Sequence, residues 1–289
     1  MTPWTAIESS EFAAYARYLN GEDLDPVLNQ RAGLGFNLIR VWLLNTSVYR
    51  IVPSDWPDFY GPLASFCQLC ANHGLYVEFT CFTQTETLMP DKAAQQAHLD
   101  AIGRALDGLQ GRVLLSKVNE ADQHDNRTAD GLVMPSGHLC SSGSNGADAT
   151  PPEPILNYTE YHTNGLSEWW RKVGHNSMEF ANVFQNRCLG GENTRMPDQD
   201  GNPVHAYDAA AGATLLCLGG CFHSVHGKTS ELWDGLELEC AKAWADGALS
   251  VPLTCQPFPY VHRSDLETDQ YIRVYQRGSD PACIVRIRA

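Results

Sequence analysis

The stretch "VLLSKVNEAD", residues 113–122, decides how this chain is read. Val113, Leu114, Leu115 and Val118 begin a short apolar strand, yet the run ends on an amide and a carboxylate, Asn119 and Glu120. A carboxylate at the end of a buried strand costs free energy unless something uses it. Its place in the chain therefore has to be found first.

Outward from this stretch, strand-like and helix-like segments alternate. The strand candidates are "PWTAI" (3–7), "FNLIRVWLL" (36–44), "LYVEFTCF" (75–82), "RVLLSKVN" (112–119) and a weak one near "GLVMPSGHL" (131–139). "PILNYTEYH" (154–162), "NRCLGG" (186–191) and "ATLLCLGGCF" (213–222) complete a set of eight. Helical patterns lie between them: "GPLASFCQLCANHG", "DKAAQQAHLDAIGRALDGLQG", "GLSEWWRKVGHNSMEFANVF" and, after the eighth strand, "ELWDGLELECAKAWADGA". Gly74 and Gly111 stand where glycine closes a helix before the next strand. Alternating β and α segments predict a parallel sheet, and eight strands are the number that closes a (β/α)8 barrel. An open doubly wound sheet would announce itself by a glycine-rich first turn, which this sequence lacks.

The expected organisation is a TIM barrel over residues 1–249 and a C-terminal β-hairpin extension over 250–289, packed on the barrel. "YIRVYQRGSDPACIVRIRA" reads as two alternating strands around a turn at Gly278 to Pro281. "HLCSSGSNGADATPPEP" (138–154) reads as a long loop.

Composition narrows the partners. Acidic residues outnumber basic ones 34 to 20, for a formal net charge of −14, which disfavours nucleic acid or an anionic membrane. No apolar run reaches the ~18 residues of a membrane span. "MTPWTAIESS" has neither a basic nor an apolar leader region, so no signal peptide is visible; a cytoplasmic chain or a trimmed secreted one is expected. Of the ten cysteines, Cys67 and Cys70 form a C-x-x-C inside a helical pattern, without a second matching pair to make a zinc site. His223 and His226 near Cys221 lack a carboxylate at ligand spacing. No metal or organic cofactor is expected.

Strand parity then places charges inside the barrel. Leu38, Arg40, Trp42 and Leu44 share one face, as do Tyr76, Glu78, Thr80 and Phe82, opposite the apolar Leu75, Val77, Phe79 and Cys81. The apolar face should meet the helices and the mixed face should line the interior. The same reading puts Lys117 and Asn119 inside. Such charges either neutralise one another or set the field around a catalytic carboxylate above them.

A second carboxylate makes the first informative. In "NRCLGGENTR", Glu192 follows a short strand through two glycines, which permit close approach of a ligand. Glu160 is the rival, one step deeper in its strand. Two carboxylates at strand ends of one barrel face are the equipment for glycoside hydrolysis: one protonates the leaving oxygen, the other attacks or activates water. For retention their carboxyl groups should lie ~5–5.5 Å apart.

At this point "SKVNEAD" resembles the strand-4 Asn-Glu motif of the retaining glycoside hydrolases of clan A, the (β/α)8 group that includes the family 5 cellulases and mannanases. The resemblance implies that Glu120 is the acid/base and Glu192, at the end of strand 7, the nucleophile. "FNLIRVW" is similar to the clan's strand-2 pattern, which implies that Arg40 hydrogen-bonds the nucleophile. Asn119 would bond the sugar 2-hydroxyl. Tyr161 and His162 match the strand-6 position beside the nucleophile, and Phe222 and His223 the strand-8 sugar platform. Two departures are visible: Ala121 stands where many members have proline, and strand 8 ends without the usual tryptophan. The resemblance implies a carbohydrate substrate and cleavage of a β-glycosidic bond. The rival readings are a glycan-binding pseudoenzyme on the same barrel, and a barrel enzyme of another reaction class, for which Lys117 is the only strand lysine.

Overall fold

The computed structural model describes residues 6–122, 129–144, 156–162, 188–192, 204, 207, 219–249, 271–274 and 285–288. Eight parallel strands form one sheet: β1 (Ala6–Ser10), β2 (Leu38–Trp42), β3 (Tyr76–Phe82), β4 (Val113–Val118), β5 (Leu139–Ser141), β6 (Thr159–His162), β7 (Cys188–Glu192) and β8 (Gly219–Phe222). Their hydrogen-bonded order is β5-β4-β3-β2-β1-β8-β7-β6. A parallel bridge from Ser141 to Tyr158 joins the two ends, so the sheet closes on itself in chain order. This is the (β/α)8 barrel.

The seam between β5 and β6 is held unusually. The Asn157 amide N–H donates to the Cys140 carbonyl at 2.9 Å, and the Cys140 N–H donates to the Asn157 side-chain Oδ1 at 2.8 Å. A side chain here takes the part of a strand.

Helices α1 (Ala14–Leu19), α2 (Asp25–Gly33), α3 (Leu63–Asn72), α4 (Thr85–Leu88), α5 (Lys92–Ala105), α6 (Val225–Thr229) and α7 (Gly235–Leu249) are described around it. Helix α3 turns Leu63, Phe66, Cys67 and Cys70 onto Val77, Phe79 and Cys81 of β3, with Leu99 and Ile102 of α5 completing the layer. Burial on this face supplies the main favourable term. A second outer cluster joins Ile7, Phe36, Phe222 and Trp233 to Trp244 and Cys240 of α7. The barrel floor is a third, with Ala6, Leu38, Leu114, Tyr158 and Leu189 meeting across the axis. Cys67, Cys70, Cys81, Cys140, Cys221 and Cys240 are buried free thiols. Strands β9 (Tyr271–Val274) and β10 (Val285–Arg288) pair antiparallel as the expected hairpin.

Four local expectations need correction. Among the described residues the first strand is Ala6–Ser10, which shares Ala6 and Ile7 with "PWTAI" and runs past it, so the polar Glu8, Ser9 and Ser10 are strand residues, all fully buried. The fifth lies beyond "GLVMPSGH", at Leu139–Ser141, inside the segment read as loop. Gly74 does close α3, in the left-handed conformation at φ 80°, but α5 ends earlier, capped at Leu106, and the left-handed glycine that follows it is Gly108 at φ 83° and not Gly111. Lys117 is not in the interior. Leu114 and Ser116 stand opposite the inward Glu78 and Thr80, which turns Lys117 outward, where Asp130 and Lys92 are the charges around it and burial holds its ammonium pKa below the ordinary value. The helical pattern around Trp169 and Trp170 lies outside the described residues.

Candidate active site

Register builds the site from β2 outward. Arg40 is paired with Ser10 of β1 and Glu78 of β3, so it stands mid-barrel, and it is fully buried. Its Nε donates to Thr80 Oγ1 at 3.1 Å. Its Nη2 donates to Asn119 Oδ1 at 2.8 Å. It also forms ion pairs with Glu78 (3.5 Å) and Glu160 (3.4 Å). One guanidinium thus ties β2 and β3 to the end of β4 and to β6, reaching the residue beside Glu120.

Glu120 itself sits just past β4 with φ 46°, a left-handed conformation uncommon for a residue with a side chain. Strain of this kind persists only where surrounding structure imposes it. The segment after β5 does so. Ser144 Oγ accepts from the Glu120 N–H at 3.0 Å, the Ser144 carbonyl accepts from the Ala121 N–H at 2.9 Å, and the Ser144 N–H donates to the Val118 carbonyl at 3.0 Å. Gly143 is needed for that approach: at φ 103°, a Cβ there would stand 2.0 Å from the Val118 carbonyl oxygen. Sequence reading passed over "SGS" as loop. Its signal was a glycine between serines directly after a strand.

His162, the last residue of β6, is buried, and its Nδ1 lies 3.2 Å from Glu120 Oε1. A bulge between Tyr161 and His162 shifts the β6–β7 register so that His162 pairs with Glu192. Glu192 is the final residue of β7, and its backbone is therefore the strand neighbour of the histidine that contacts Glu120. The side chains of Glu192 and Tyr161 lie outside the described part.

The structure separates the two strand-8 residues. Phe222 does not face the barrel interior. It is fully buried between sheet and helices, against Trp233 (5.2 Å), Tyr207 (5.9 Å), Trp244 (6.2 Å) and Phe36 (6.3 Å). Cys221, opposite Glu8, occupies the inward position, so parity at the strand end decides against a sugar platform at Phe222. His223, past the strand, lies 5.3 Å from the Phe12 ring on the Arg40 side. His226 instead pairs with Glu237 of α7. Among the described residues no three His, Cys, Asp or Glu side chains gather in a metal-binding group.

Below Arg40 the barrel holds more acid than sequence reading found. Glu8, Glu78 and Glu160 are all fully buried around a single guanidinium. Burial pushes the Glu8 carboxyl up to about 8, against the pull of Arg40 and with Glu160 adding to the rise. Glu78 lies well above the ordinary range, from burial first and then from Glu160 and Glu8, despite Arg40 and the Tyr158 hydroxyl that donates to its Oε2 at 3.2 Å. Glu8 had been missed because "ESSE" looks like a loop once the strand is placed too early.

This has a pH consequence. The folded state keeps a proton on Glu8 that the unfolded chain releases near 4.5. The contribution of the neutral acid is complete below 4.5 and is lost as pH rises toward about 8. Glu8→Gln, which needs no proton, is therefore expected to gain stability over the parent as pH goes from 5 to 8. Urea midpoints across that range check it, and a difference that does not grow with pH would refute it.

Comparison with known proteins comes last. No protein-family model matches the sequence, and no curated protein matches it. Solved structures do. A glycoside hydrolase family 5 protein from Bacteroides vulgatus superposes with TM-score 0.59 at 13% identity, over 76% of this chain and 58% of that one. A GH5_18 protein from Streptomyces cattleya, in complex with GlcNAc, superposes with TM-score 0.58 at 13% identity, over 86% and 80%. A GH5-4 broad specificity endoglucanase from a Clostridium gives TM-score 0.58 at 9% identity, over 86% and 97%. The chain thus spans little more than half the length of the first of these and most of the other two. Closed order, strand register and these superpositions agree: the chain has the (β/α)8 fold of the family 5 glycoside hydrolases.

Proposed function

We propose that the chain is a retaining β-glycoside hydrolase with Glu120 as acid/base and Glu192 as nucleophile. The observation that carries this reading is the pairing of Glu192 with His162 in the sheet, while the His162 ring contacts Glu120 at 3.2 Å. That arrangement supports two carboxylates at adjacent strand ends on the face where barrel enzymes work. The fold shared with family 5 hydrolases raises the expectation without assigning the residues.

In this mechanism Glu192 attacks the anomeric carbon while Glu120, which starts protonated, gives its proton to the departing oxygen. Glu120 then takes a proton from water, which releases the sugar from Glu192. His162 holds Glu120 in place through both half-reactions. Asn119, whose Oδ1 accepts from Arg40 Nη2, is the residue assigned to donate an amide N–H to the sugar 2-hydroxyl. The Gly143–Ser144 clamp fixes the backbone of the acid/base, so the proton donor does not drift from the bond it cleaves.

The test is a panel of aryl β-glycosides, read by aryl release and by proton NMR of the first sugar formed. Glucosides, mannosides and N-acetylglucosaminides come first, because neighbouring structures hold GlcNAc or Manβ1-4GlcNAc and one is an endoglucanase. The expected first product keeps the β configuration. An α product would mean inversion, and no turnover on any member would remove the hydrolase reading.

A further inference from the structure

Among the described residues, Trp42 has a buried polar group that the mechanism above does not use. It is the last residue of β2, on the inward face with Leu38 and Arg40 and one rung nearer the catalytic mouth than Arg40. Thr80, its partner across the sheet, is the residue that accepts from Arg40 Nε. The ring is 6% exposed and lies flat on Phe12, with centroids 3.8 Å apart and planes 10° apart. Phe12 in turn meets Arg40 on one side (5.6 Å) and His223 on another (5.3 Å). The Trp42 indole Nε1–H has no hydrogen-bond acceptor.

A buried indole N–H without an acceptor carries an uncompensated desolvation cost, which a phenylalanine at the same place would avoid. In the outer layer Trp233 donates its Nε1 to Ser224 Oγ at 2.8 Å, whereas the buried Trp244 Nε1 also has no acceptor among the described residues; what sets Trp42 apart is its inward place beside Arg40 and Thr80. Stacking on Phe12 explains an aromatic ring at position 42 but not this one. A donor at the rung above Arg40, beside the residue that bonds Asn119, matches an acceptor that arrives with the substrate.

We infer that Trp42 is a specificity-determining residue: its indole N–H donates to a ring hydroxyl of a bound β-hexopyranoside, at a position other than the 2-hydroxyl held by Asn119. The Trp42–Phe12 stack with His223 beside it forms the aromatic wall of the sugar site, on strands 1 and 2, where Phe222 of strand 8 cannot serve. A hexose in this site is read by one neutral donor on a rigid ring, held in its plane by Phe12. The inference rests on the glycosidase reading.

Trp42→Phe isolates the donor, since it keeps the ring on Phe12 and deletes the N–H. With the aryl glycoside that the parent turns over best, kcat/KM should fall about tenfold, as for loss of one hydrogen bond in a closed site. Thermal midpoint should hold or rise. One member of the 3-, 4- and 6-deoxy series should show the same tenfold loss on the parent and no further loss on the variant. A variant within twofold of the parent on every member would overturn the inference and leave the hydrolase reading intact. A second measurement uses the unaltered protein: the assigned Trp42 indole ¹⁵N–¹H resonance should shift on titration with N-acetylglucosamine or mannose. If the parent turns over no glycoside, the hydrolase reading falls, and this titration alone decides: a saturable shift supports a sugar donor at Trp42, an unmoved resonance overturns it.

Discussion

With Glu192 as the proposed nucleophile, Glu192→Gln is expected to lower turnover on every substrate by roughly 10⁴-fold or more, since no covalent sugar intermediate could then form. Glu120→Gln is expected to behave differently. With a poor leaving group it loses about 10²–10⁴-fold, the scale of general acid catalysis. With an activated aryl group the proton donor matters little, so the first step survives and the glycosyl-enzyme accumulates for want of a base. Azide, which needs no base, should restore turnover of the Glu120 variant and yield a β-glycosyl azide. A 2-fluoro glycoside should label Glu192 in the parent, as peptide mass mapping will read. Labelling of Glu160 instead would overturn the assignment, and the structure gives a reason to expect otherwise: Glu160 is fully buried and ion-paired to Arg40, two residues below the strand end.

The second large effect is on Arg40. It is the guanidinium that faces Glu78 at 3.5 Å and Glu160 at 3.4 Å, with Glu8 close enough to feel its charge. Arg40→Met removes the counter-charge and leaves buried carboxylates without it, a loss on the order of 3–5 kcal/mol. The loss should be smaller at pH 5, where Glu8 keeps its proton and needs no cation, and larger at pH 8, close to its raised pKa of about 8. Turnover should fall too, because Asn119 loses the partner that orients it. Chemical denaturation at pH 5 and pH 8 measures the first; a loss equal at both would mean that the carboxylates are not what Arg40 holds. Activity assayed where the variant is still folded measures the second.

How much of this was legible beforehand follows from the period of two along strands. In β2 and β3 regular pairing runs through Arg40 and Glu78, so reading alternate residues placed both inside. The same rule failed at Lys117, while Asn119 does reach the interior. They are two apart, yet one faces outward and the other bonds Arg40, because the chain leaves strand geometry after Val118 and enters the left-handed turn at Glu120. At Phe222 it was the resemblance that misplaced the ring: Gly219 and Cys221 take the inward positions and leave the aromatic residue for the outer layer. Apolar content misled at both ends of the barrel. Strand β1 carries Glu8 and Ser10 inside, with Ser9 buried on its outer face, and β5 is three residues of a serine-rich segment. A polar strand is stable only once the barrel encloses its partners, and no local pattern announces that. The positions of the Asn-Glu pair and of the Glu after two glycines were legible because each breaks an apolar run at the end of its strand.

The seam at Asn157 gives the barrel a direction of opening. Along β2–β3 and β3–β4 the ring is held by runs of paired residues, whereas β5 meets β6 through one bridge and an asparagine side chain. A closed ring yields at its thinnest joint, and fluctuations that part the barrel without unfolding it should start there. Amide protons at Cys140 and Asn157 would then exchange with solvent long before those of Ile39, Val77 or Leu115. The clamp on Glu120 is borne by Gly143 and Ser144, only a few residues beyond Cys140 on the β5 side of that joint. Each opening of the seam would therefore also release the backbone of Glu120, so the lifetime of the closed ring sets an upper bound on how long its contact with His162 persists.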